Sequence, residues 1–419
     1  MILTGLAFIA IALILLAFAA STWLDVLNAR EVRANQGAVP EAFSGIIDEP
    51  GYFKSARYTL DKIKFGICER IFDTVLIVAV LIFGIYPMLF RLFSGAFGGG
   101  IWAQSLAFIF SAMVLGFASL PFDYYEQFKL EHKYGFNKST VKLWVSDKIK
   151  EAAVSVLIAA PLLAFLLWLF SALPNTWWIL GFCAGASFQL LMLIIYPRVI
   201  LPLFNKLSEL EDGELKTRLL NMADRAGFKA SAIYVIDGSK RSSHSNAFFT
   251  GFGKFRKIVL FDTLINQLSP GEIEAVLAHE IGHYKCGHIP KMIIANFAAM
   301  FCGLAVVAYL AKCAGFYEGF GFAISDGMAA ALIIFMIVAS PVNFWFTPIK
   351  NAVSRKYEYQ ADAFAKRVCG GENSLIAALR KLHTKNLSNL TPHRIYSAFH
   401  YSHPTLLERE RALRSGGEN

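Results

Sequence analysis

Two histidines that lie four residues apart, His279 and His283, enclose a glutamate in the pentapeptide His-Glu-Ile-Gly-His. Residues at this spacing share one face of an α-helix, so both imidazole rings can bind the same metal ion. Neutral imidazole is a good zinc ligand, and Glu280 between the rings can act as a general base on a water molecule. The pattern predicts a catalytic site with one zinc ion per chain. Chance alone would produce it in roughly one chain in a hundred of this length, so further ligands must support it.

A second pair, Glu358 and Asp362, is also four residues apart and follows the last apolar segment of the chain. A catalytic zinc ion takes a third protein ligand and keeps one position open. One carboxylate of this pair could bind the metal while the other orients a histidine. The alternative is a solvated helical face on which the two acids pair with Arg355 and Lys366.

The histidine motif is predicted to lie on a helix that begins near Ser269. Serine is a favourable N-cap residue, Pro270 suits the first turn, and Glu272 stands three residues after the serine, as in a capping box. Apolar residues at helical spacing would form one buried side of this helix. They are Ile273, Val276, Leu277 and Ile281.

Two short apolar runs upstream of that helix, residues 232–236 and 257–261, predict β-strands, because they are rich in β-branched residues and bounded by turn residues. Residues 242–249 between them are a candidate third strand at the edge of the sheet. Residues 198–291 therefore form a predicted catalytic domain of helix, small sheet and helix. Residues 350–419 are predicted to be a helical C-terminal part that carries the third ligand.

The composition indicates a membrane protein. Of the 419 residues, 56% are apolar and only 17% are charged, whereas soluble domains carry about 25% charged residues. Seven apolar segments reach the roughly 20 residues that a helix needs to cross a bilayer. They span residues 2–24, 71–93, 101–121, 152–171, 176–197, 292–311 and 328–349.

The predicted fold is therefore mainly α: a polytopic membrane protein with about seven transmembrane helices and a small α+β, zincin-like catalytic domain. Residues 1–197 would hold five of the transmembrane helices together with cytoplasmic loops, and residues 292–349 the other two.

The positive charge of the chain is a topology signal. The net charge is +9, and all of the 40 Lys and Arg residues except Arg91 and Lys312 lie in alternate loops and the C-terminal part. Such residues favour the cytoplasmic side, so the N-terminus is expected outside and the catalytic site in the cytoplasm. The same face can contact anionic lipid. Charge that is spread in this way, without base-reading elements, argues against a nucleic-acid partner.

Six cysteines form no CxxC pair, which argues against a cysteine-based zinc site and a disulfide framework. Among the remaining histidines, His244 is predicted to be a surface loop residue, and His288 is predicted to be interfacial because it precedes an apolar segment.

The spaced motifs resemble a known family. HEIGH, followed two membrane segments later by SRKYEYQAD, is similar to the HExxH…ExxxD arrangement of the HtpX-like membrane metalloproteases. The resemblance is closer to the type I CAAX prenyl endoproteases, which have seven helices. The matching stretches are PFDYYEQFKLEHKYGFNKST, GSKRSSHSNAFFTGF, KIVLFDTL and HPTLLERE.

This resemblance implies roles for individual residues. His279, His283 and Glu358 match the zinc ligands, and Glu280 matches the catalytic base. Asp362 matches the acid of the ExxxD motif and is predicted to belong to the catalytic group.

Three further residues enter through the resemblance alone. Asn246 lies in the SNA stretch, which in the family forms an edge strand that holds the peptide substrate. His403 and Arg409 match a His-Pro…Arg motif that lines the site, where His403 would support the oxyanion and Arg409 would serve the substrate side.

Two functions remain open at this point. One is a CAAX-type endopeptidase that cuts near the C-terminus of a lipid-modified or membrane-delivered peptide. The other is a quality-control protease for misfolded or stalled membrane proteins. A transporter or receptor is disfavoured, because the predicted spans carry almost no charged residues. We expect a bacterial inner membrane, or the endoplasmic reticulum membrane for a eukaryotic source. The sequence gives no indication of the oligomeric state.

Overall fold

The computed structural model describes residues 5–229, 232–250 and 257–415, so residues 2–4 of the first predicted span lie outside the described residues. The first half of the chain is helical. Its α-helices are α1 (Gly5–Asn35), α2 (Glu49–Ile82), α3 (Ile85–Phe97), α4 (Ile101–Tyr125), α5 (His132–Tyr134), α6 (Val141–Ala172), α7 (Trp177–Ile195) and α8 (Leu201–Phe204).

The second half contains a sheet followed by helices. Its strands are β1 (Leu207–Glu209), β2 (Ala232–Ile236), β3 (Ala247–Thr250) and β4 (Lys257–Phe261). Its α-helices are α9 (Glu214–Arg225), α10 (Asp262–Gln267), α11 (Pro270–Lys285), α12 (His288–Leu310), α13 (Ala314–Glu318), α14 (Gly327–Cys369), α15 (Asn373–Lys385), α16 (Arg394–His400) and α17 (Leu406–Arg414).

Among the described residues, six helices are long and apolar enough to cross a membrane, and the bent pair α2–α3 supplies a seventh candidate. The two helices of the pair meet at an angle of 67°. Gly84, between them, has a φ of 63°, a left-handed conformation that glycine adopts without strain. The prediction of about seven membrane helices is confirmed, although the second span is broken.

The membrane helices expose apolar side chains and pack through small ones. Phe83 and Leu157 are 76% and 74% exposed, as expected for side chains that face lipid. Ala329, Ala330 and Ala331 on α14 are completely buried in the helix bundle. Small residues at such contacts allow neighbouring helices to approach closely.

The sheet has the order β1-β2-β4-β3, in which β2 and β4 are parallel and the two outer strands are antiparallel to their neighbours. The predicted strands 232–236 and 257–261 are confirmed. The candidate third strand is shorter than residues 242–249, and it is the edge strand β3. Strand β1 was not predicted.

Helix α11 begins as predicted. Ser269 and Glu272 form a capping box, in which the Ser269 backbone N–H donates to Glu272 Oε2 at 2.7 Å. Ile273, Leu277 and Ile281 are at most 1% exposed and anchor the helix in the core of the catalytic region. Because this face of α11 is buried in the core, the opposite face, which carries the two histidines of the motif, is available for chemistry.

Helix α14 is continuous from the last membrane segment into the catalytic region. It crosses α11 closely at Gly282. A Cβ atom on Gly282 would lie 3.0 Å from both the Cα and the carbonyl oxygen of Ala361. The absence of a side chain at this position therefore lets the two helices approach closely enough to share a site.

Candidate metal centre

The two histidines of α11 face one another across one helical turn. The Nε2 atoms of His279 and His283 are 3.2 Å apart, and the rings meet nearly at right angles. His279 is buried, and the His283 side chain is 21% exposed. The predicted sharing of one helical face is thus observed, with one ring enclosed and the other nearer to solvent.

Helix α14 brings a carboxylate to this pair. Glu358 Oε2 lies 3.4 Å from His279 Nε2, and Glu358 Oε1 lies 3.2 Å from His283 Nε2. Glu358 is only 3% exposed. The solvated acidic face considered as an alternative does not occur, because both Glu358 and Asp362 are buried.

The three side chains fit a zinc ion. Tetrahedral zinc with bonds of about 2.1 Å separates its ligand atoms by about 3.4 Å, close to the observed 3.2–3.4 Å between the three groups. Among the described residues, Glu358 Oε2 is buried without a hydrogen-bond partner. Arg409 Nη1 lies 3.6 Å from this oxygen, beyond hydrogen-bond distance, so a metal ion at the centre would give the buried carboxylate the direct partner that it lacks. His279, His283 and Glu358 can therefore hold a metal ion.

Asp362 lies behind His279, on the side away from Glu358. Its Oδ1 is 2.8 Å from His279 Nδ1, and its Oδ2 accepts from Arg409 Nε at 2.9 Å. Arg409, on α17, is 6% exposed. The structure therefore brings Asp362 and Arg409 to the site, but it places Arg409 in a buried ion pair rather than on an open substrate-facing surface.

The electrostatics of this arrangement favour positive charge at the centre. Burial and the charge of Arg409 lower the pKa of His279, but the adjacent carboxylates of Asp362 and Glu358 more than offset both and raise it to about 9. The same carboxylates would stabilise a metal cation in place of the proton.

Two further polar side chains stand at the centre. Glu280, between the two histidines, is half-buried, and burial raises its pKa above the ordinary glutamate value. His403 Nε2 lies 3.3 Å from Glu358 Oε1, and its side chain is 63% exposed. His403 thus closes one wall of the site and remains open to solvent on the other side, where a substrate can enter.

Asn246 immediately precedes the edge strand β3 and is exposed. Its Oδ1 accepts a hydrogen bond from the backbone N–H of Ala247 at 2.8 Å, and its carbonyl accepts from Phe261 at 3.1 Å. The side-chain oxygen thus shapes the start of the strand, as asparagine often does in turns. The Nδ2 group is the part of this side chain that a substrate carbonyl could use.

His244 lies in the loop before β3 with a side chain that is 40% exposed, as the sequence predicted, but it also makes specific contacts. Its ring stacks on Phe136 at 4.1 Å, and its nitrogens lie 3.4 Å from Glu131 Oε2 and 3.2 Å from Asn386 Oδ1. The segment before β3 is also held by a backbone hydrogen bond from Ser243 to Phe136. The segment that follows α4, a π-helical turn over Glu126–Glu131 and the residues just after α5, therefore supports the edge strand.

The prediction for His288 was wrong in part. His288 does begin the membrane helix α12, but it is completely buried and its Nδ1 lies 3.0 Å from His283 Nδ1. Its Nε2 lies 2.8 Å from Gln360 Oε1. The sequence contained one signal of this contact: a glycine, Gly287, directly before the histidine, which can turn the chain sharply between two helices.

Comparisons with known proteins identify the family of this chain. A model of peptidase family M48 matches residues 209–416, and a model described as the CAAX prenyl protease N-terminal region, with five membrane helices, matches residues 28–206. The CAAX prenyl protease 1 of Saccharomyces cerevisiae is 36% identical, over 91% of this chain and 89% of its own. The chain belongs to the CAAX prenyl protease family of M48 peptidases.

Other relatives extend the likeness over almost the entire chain. The human protein named CAAX prenyl protease 1 homolog is 33% identical, over 96% of this chain and 95% of its own. The crystal structure of Ste24p from S. mikatae superposes with a TM-score of 0.93 at 34% identity, over 98% of this chain and 99% of that one. The resemblance inferred from the motifs is confirmed, and the chain is a multi-pass membrane metalloendopeptidase.

Proposed function

We propose that this protein is a zinc endopeptidase that cuts near the C-terminus of lipid-modified, CAAX-type peptides delivered from the membrane to its cytoplasmic face. The observation that carries the proposal is the largely buried group of His279, His283 and Glu358, in which the third ligand lies on the helix that leaves the membrane. The names of the relatives support the CAAX-type substrate.

His279, His283 and Glu358 would hold the zinc ion, and Asp362 would fix the ring of His279 through the 2.8 Å contact at Nδ1. A bound zinc ion supplies a Lewis acid that polarises the scissile carbonyl and makes water a stronger nucleophile near neutral pH. Arg409 keeps Asp362 ionised in its buried position, since an unpaired buried carboxylate would favour the neutral form.

Glu280 moves the proton. Its carboxylate accepts a proton from the attacking water and then delivers that proton to the nitrogen of the leaving amine. The open side chain of His403 can donate a hydrogen bond to the oxyanion that forms at the substrate carbonyl. Both groups border the three ligands, so one peptide bond could meet them together.

The substrate backbone would extend the sheet. Strand β3 is an edge strand of the four-stranded sheet and packs against α11, which carries the histidines. A peptide in extended conformation can add to such an edge through backbone hydrogen bonds. Asn246 would hold the peptide through its Nδ2 group. Backbone pairing selects weakly among side chains, so access from the membrane would supply the specificity.

The substrate can be tested with the purified protein in liposomes. We expect cleavage of a prenylated CAAX peptide at a rate well above that of the same peptide without the prenyl group, and no cleavage by Glu280→Gln. Equal cleavage of both peptides would contradict the CAAX-type substrate. Efficient cleavage of unprenylated, misfolded membrane proteins with no effect of the prenyl group would favour quality control.

The orientation needs its own test. The Lys and Arg distribution places the loop before α4 and the loop before α14 outside, and the loop after α4 and the C-terminus in the cytoplasm. Reporters inserted after Gly98 and Asp326 should therefore read as external, and those after Asn137 and Asn419 as cytoplasmic. An external reading at Asn419 would remove the site from the cytoplasm and exclude the proposed substrates.

A further inference from the structure

His288 is a completely buried histidine at the first position of a membrane helix, which is an unusual place for an imidazole ring. Helix α11 ends at Lys285, and α12 begins three residues later, at His288. Gly287 makes this abrupt turn with a φ of 68°, a left-handed conformation that suits glycine. The turn returns the chain over α11 and sets His288 against His283.

A chain of hydrogen bonds runs from His283 through His288. The two Nδ1 atoms are 3.0 Å apart, and His288 Nε2 lies 2.8 Å from Oε1 of Gln360 on α14. The His288 ring also stacks on Tyr357 at 4.2 Å, with an angle of 11° between the ring planes. Three helices, α11, α12 and α14, thus meet through one side chain.

The two ends of this chain of hydrogen bonds, the metal side of His283 and the oxygen of Gln360, determine where the protons lie. Nε2 of His283 faces His279 and Glu358, so it must carry the lone pair that binds a metal. The proton of a neutral His283 then resides on Nδ1 and is donated to Nδ1 of His288. His288 must accept there, so its own proton is on Nε2, where the Gln360 oxygen accepts it.

We propose that His288, held by Gln360, is a positioning residue that fixes the tautomer and the ring orientation of His283 for metal binding. The inference rests on the proposed zinc site and deepens it. A metal-binding histidine generally donates its other N–H to a carboxylate, a carbonyl or water, and that partner orients the ring. Here the acceptor is a second histidine, and its own acceptor is supplied by the helix that also carries Glu358.

The contrasting role for His288 is packing. A flat ring that stacks on Tyr357 would fill the space between α12 and α14 whether or not it contained nitrogen. Two substitutions separate these roles because each retains one property. His288→Phe keeps a ring for the stack but removes the acceptor, whereas His288→Asn loses the ring but can place its Oδ1 near the former position of Nδ1.

The experiment measures zinc affinity on the full-length protein in detergent, by competition with a chelator at a series of free zinc concentrations. Loss of a group that orients a ligand weakens metal affinity by about tenfold to a hundredfold. We expect that loss in His288→Phe and a smaller one, within about threefold of wild type, in His288→Asn. Gln360→Leu should fall between them, since it frees the His288 tautomer but leaves the acceptor in place.

A spectroscopic signature adds a readout that packing would not change. With Co²⁺ in place of zinc, the visible absorption bands should shift in His288→Phe and resemble those of wild type in His288→Asn. The matched control is His400→Phe, which replaces another histidine beside aromatic rings, in contact with Tyr396 and Phe399. This control should retain both the wild-type affinity and the wild-type spectrum.

The outcomes are distinguishable from failure of the proposed function. A wild-type protein that binds no zinc at any concentration would overturn both the zinc site and this inference. Normal zinc binding by wild type and by His288→Phe would overturn the inference alone. Stronger losses in His288→Asn than in His288→Phe, accompanied by a lower melting temperature, would assign His288 to packing and likewise overturn it.

Discussion

The two histidines of the metal centre lie on the same helix, one turn apart, yet the groups behind them differ in charge. Behind His279 stands the carboxylate of Asp362, which is paired in turn with Arg409 on the C-terminal helix α17. Behind His283 stands a neutral chain, His288 followed by Gln360, at the beginning of a membrane helix.

This difference in charge follows from whether the surroundings of each histidine can stabilise a buried carboxylate. A buried carboxylate is costly without a paired charge, and α17 supplies a guanidinium to the His279 side. The His283 side adjoins α12, which is apolar after Lys291 in its first turn, and a buried carboxylate there would have to be stabilised close to lipid. Neutral hydrogen-bonding groups orient the second ring without that cost. The charged side should therefore affect folding and the neutral side mainly metal binding.

The largest effect should come from a residue that supports neither ring. Glu280→Gln removes the proton acceptor but preserves size, so kcat should fall by about 10²- to 10⁴-fold while zinc remains bound. Activity and zinc content measured on the same preparation provide the test. A variant that retained more than a tenth of the activity would show that Glu280 is not the base, and zinc loss would show that it supports the ligands.

The charged side is tested by Asp362→Leu. This substitution removes the carboxylate to which buried Arg409 donates directly and leaves it only Glu358 Oε2 at 3.6 Å, and breaking such a pair typically costs about 3–5 kcal/mol of unfolding free energy. We expect a clear drop in melting temperature in metal-free protein, in contrast to His288→Phe. The double variant Asp362→Leu with Arg409→Leu should regain much of the stability but not the zinc affinity. Equal stability of Asp362→Leu and His288→Phe would remove the proposed asymmetry.

The proposed binding of the substrate by Asn246 involves neither Asp362 nor His288. If Asn246 donates through Nδ2 to the peptide, Asn246→Ala should lower kcat/KM by about tenfold to a hundredfold, since such a bond is worth about 1–3 kcal/mol. Asn246→Asp is the matched variant, because it keeps the oxygen that accepts from Ala247 but lacks the donor. Its kcat/KM should fall equally, with zinc content unchanged. If Asn246→Asp kept its kcat/KM and Asn246→Ala lost stability, the role of Asn246 would be limited to shaping the turn before β3.

Gly282→Ala should have the smallest effect of these variants, and it should weaken the supports of His279 and His283 together. The added methyl group would meet the backbone of Ala361, which cannot rotate away as a flexible side chain would. Overpacking of this kind typically costs about 1–3 kcal/mol. Separation of α11 from α14 would move Glu358 away from both histidines, so zinc affinity should fall in parallel with stability. Unchanged zinc affinity would show that the close crossing is not needed for the site.

The features that the sequence predicted are those with local causes. Strands 232–236 and 257–261 follow from short β-branched runs, and the start of α11 follows from the cap at Ser269. Strand β1 has only three residues, Leu207–Glu209, and no pattern of its own to distinguish it. It exists because β2 offers it a partner, which is a tertiary effect.

The residues that orient the two histidines also differ in whether their cause is local or tertiary. The spacing of Glu358 and Asp362 on one helix is enough to predict both a ligand and an orienting acid. The contact between His288 and His283 depends on the direction in which the chain turns at Gly287, and spacing along the sequence does not encode that direction. Hydropathy likewise ends the last span near residue 349, whereas the helix continues to Cys369.

That continuity restricts how the length of the protein can vary. Because the last membrane segment and Glu358 belong to one unbroken helix, a single residue inserted between them would rotate the carboxylate by about 100° around the helix axis. Deletion of one residue would rotate it equally far in the other direction. The stretch between the bilayer and the third ligand should therefore accept substitutions but not changes of length. The connection between α12 and α14, which contains the short helix α13, is not bound by this rule.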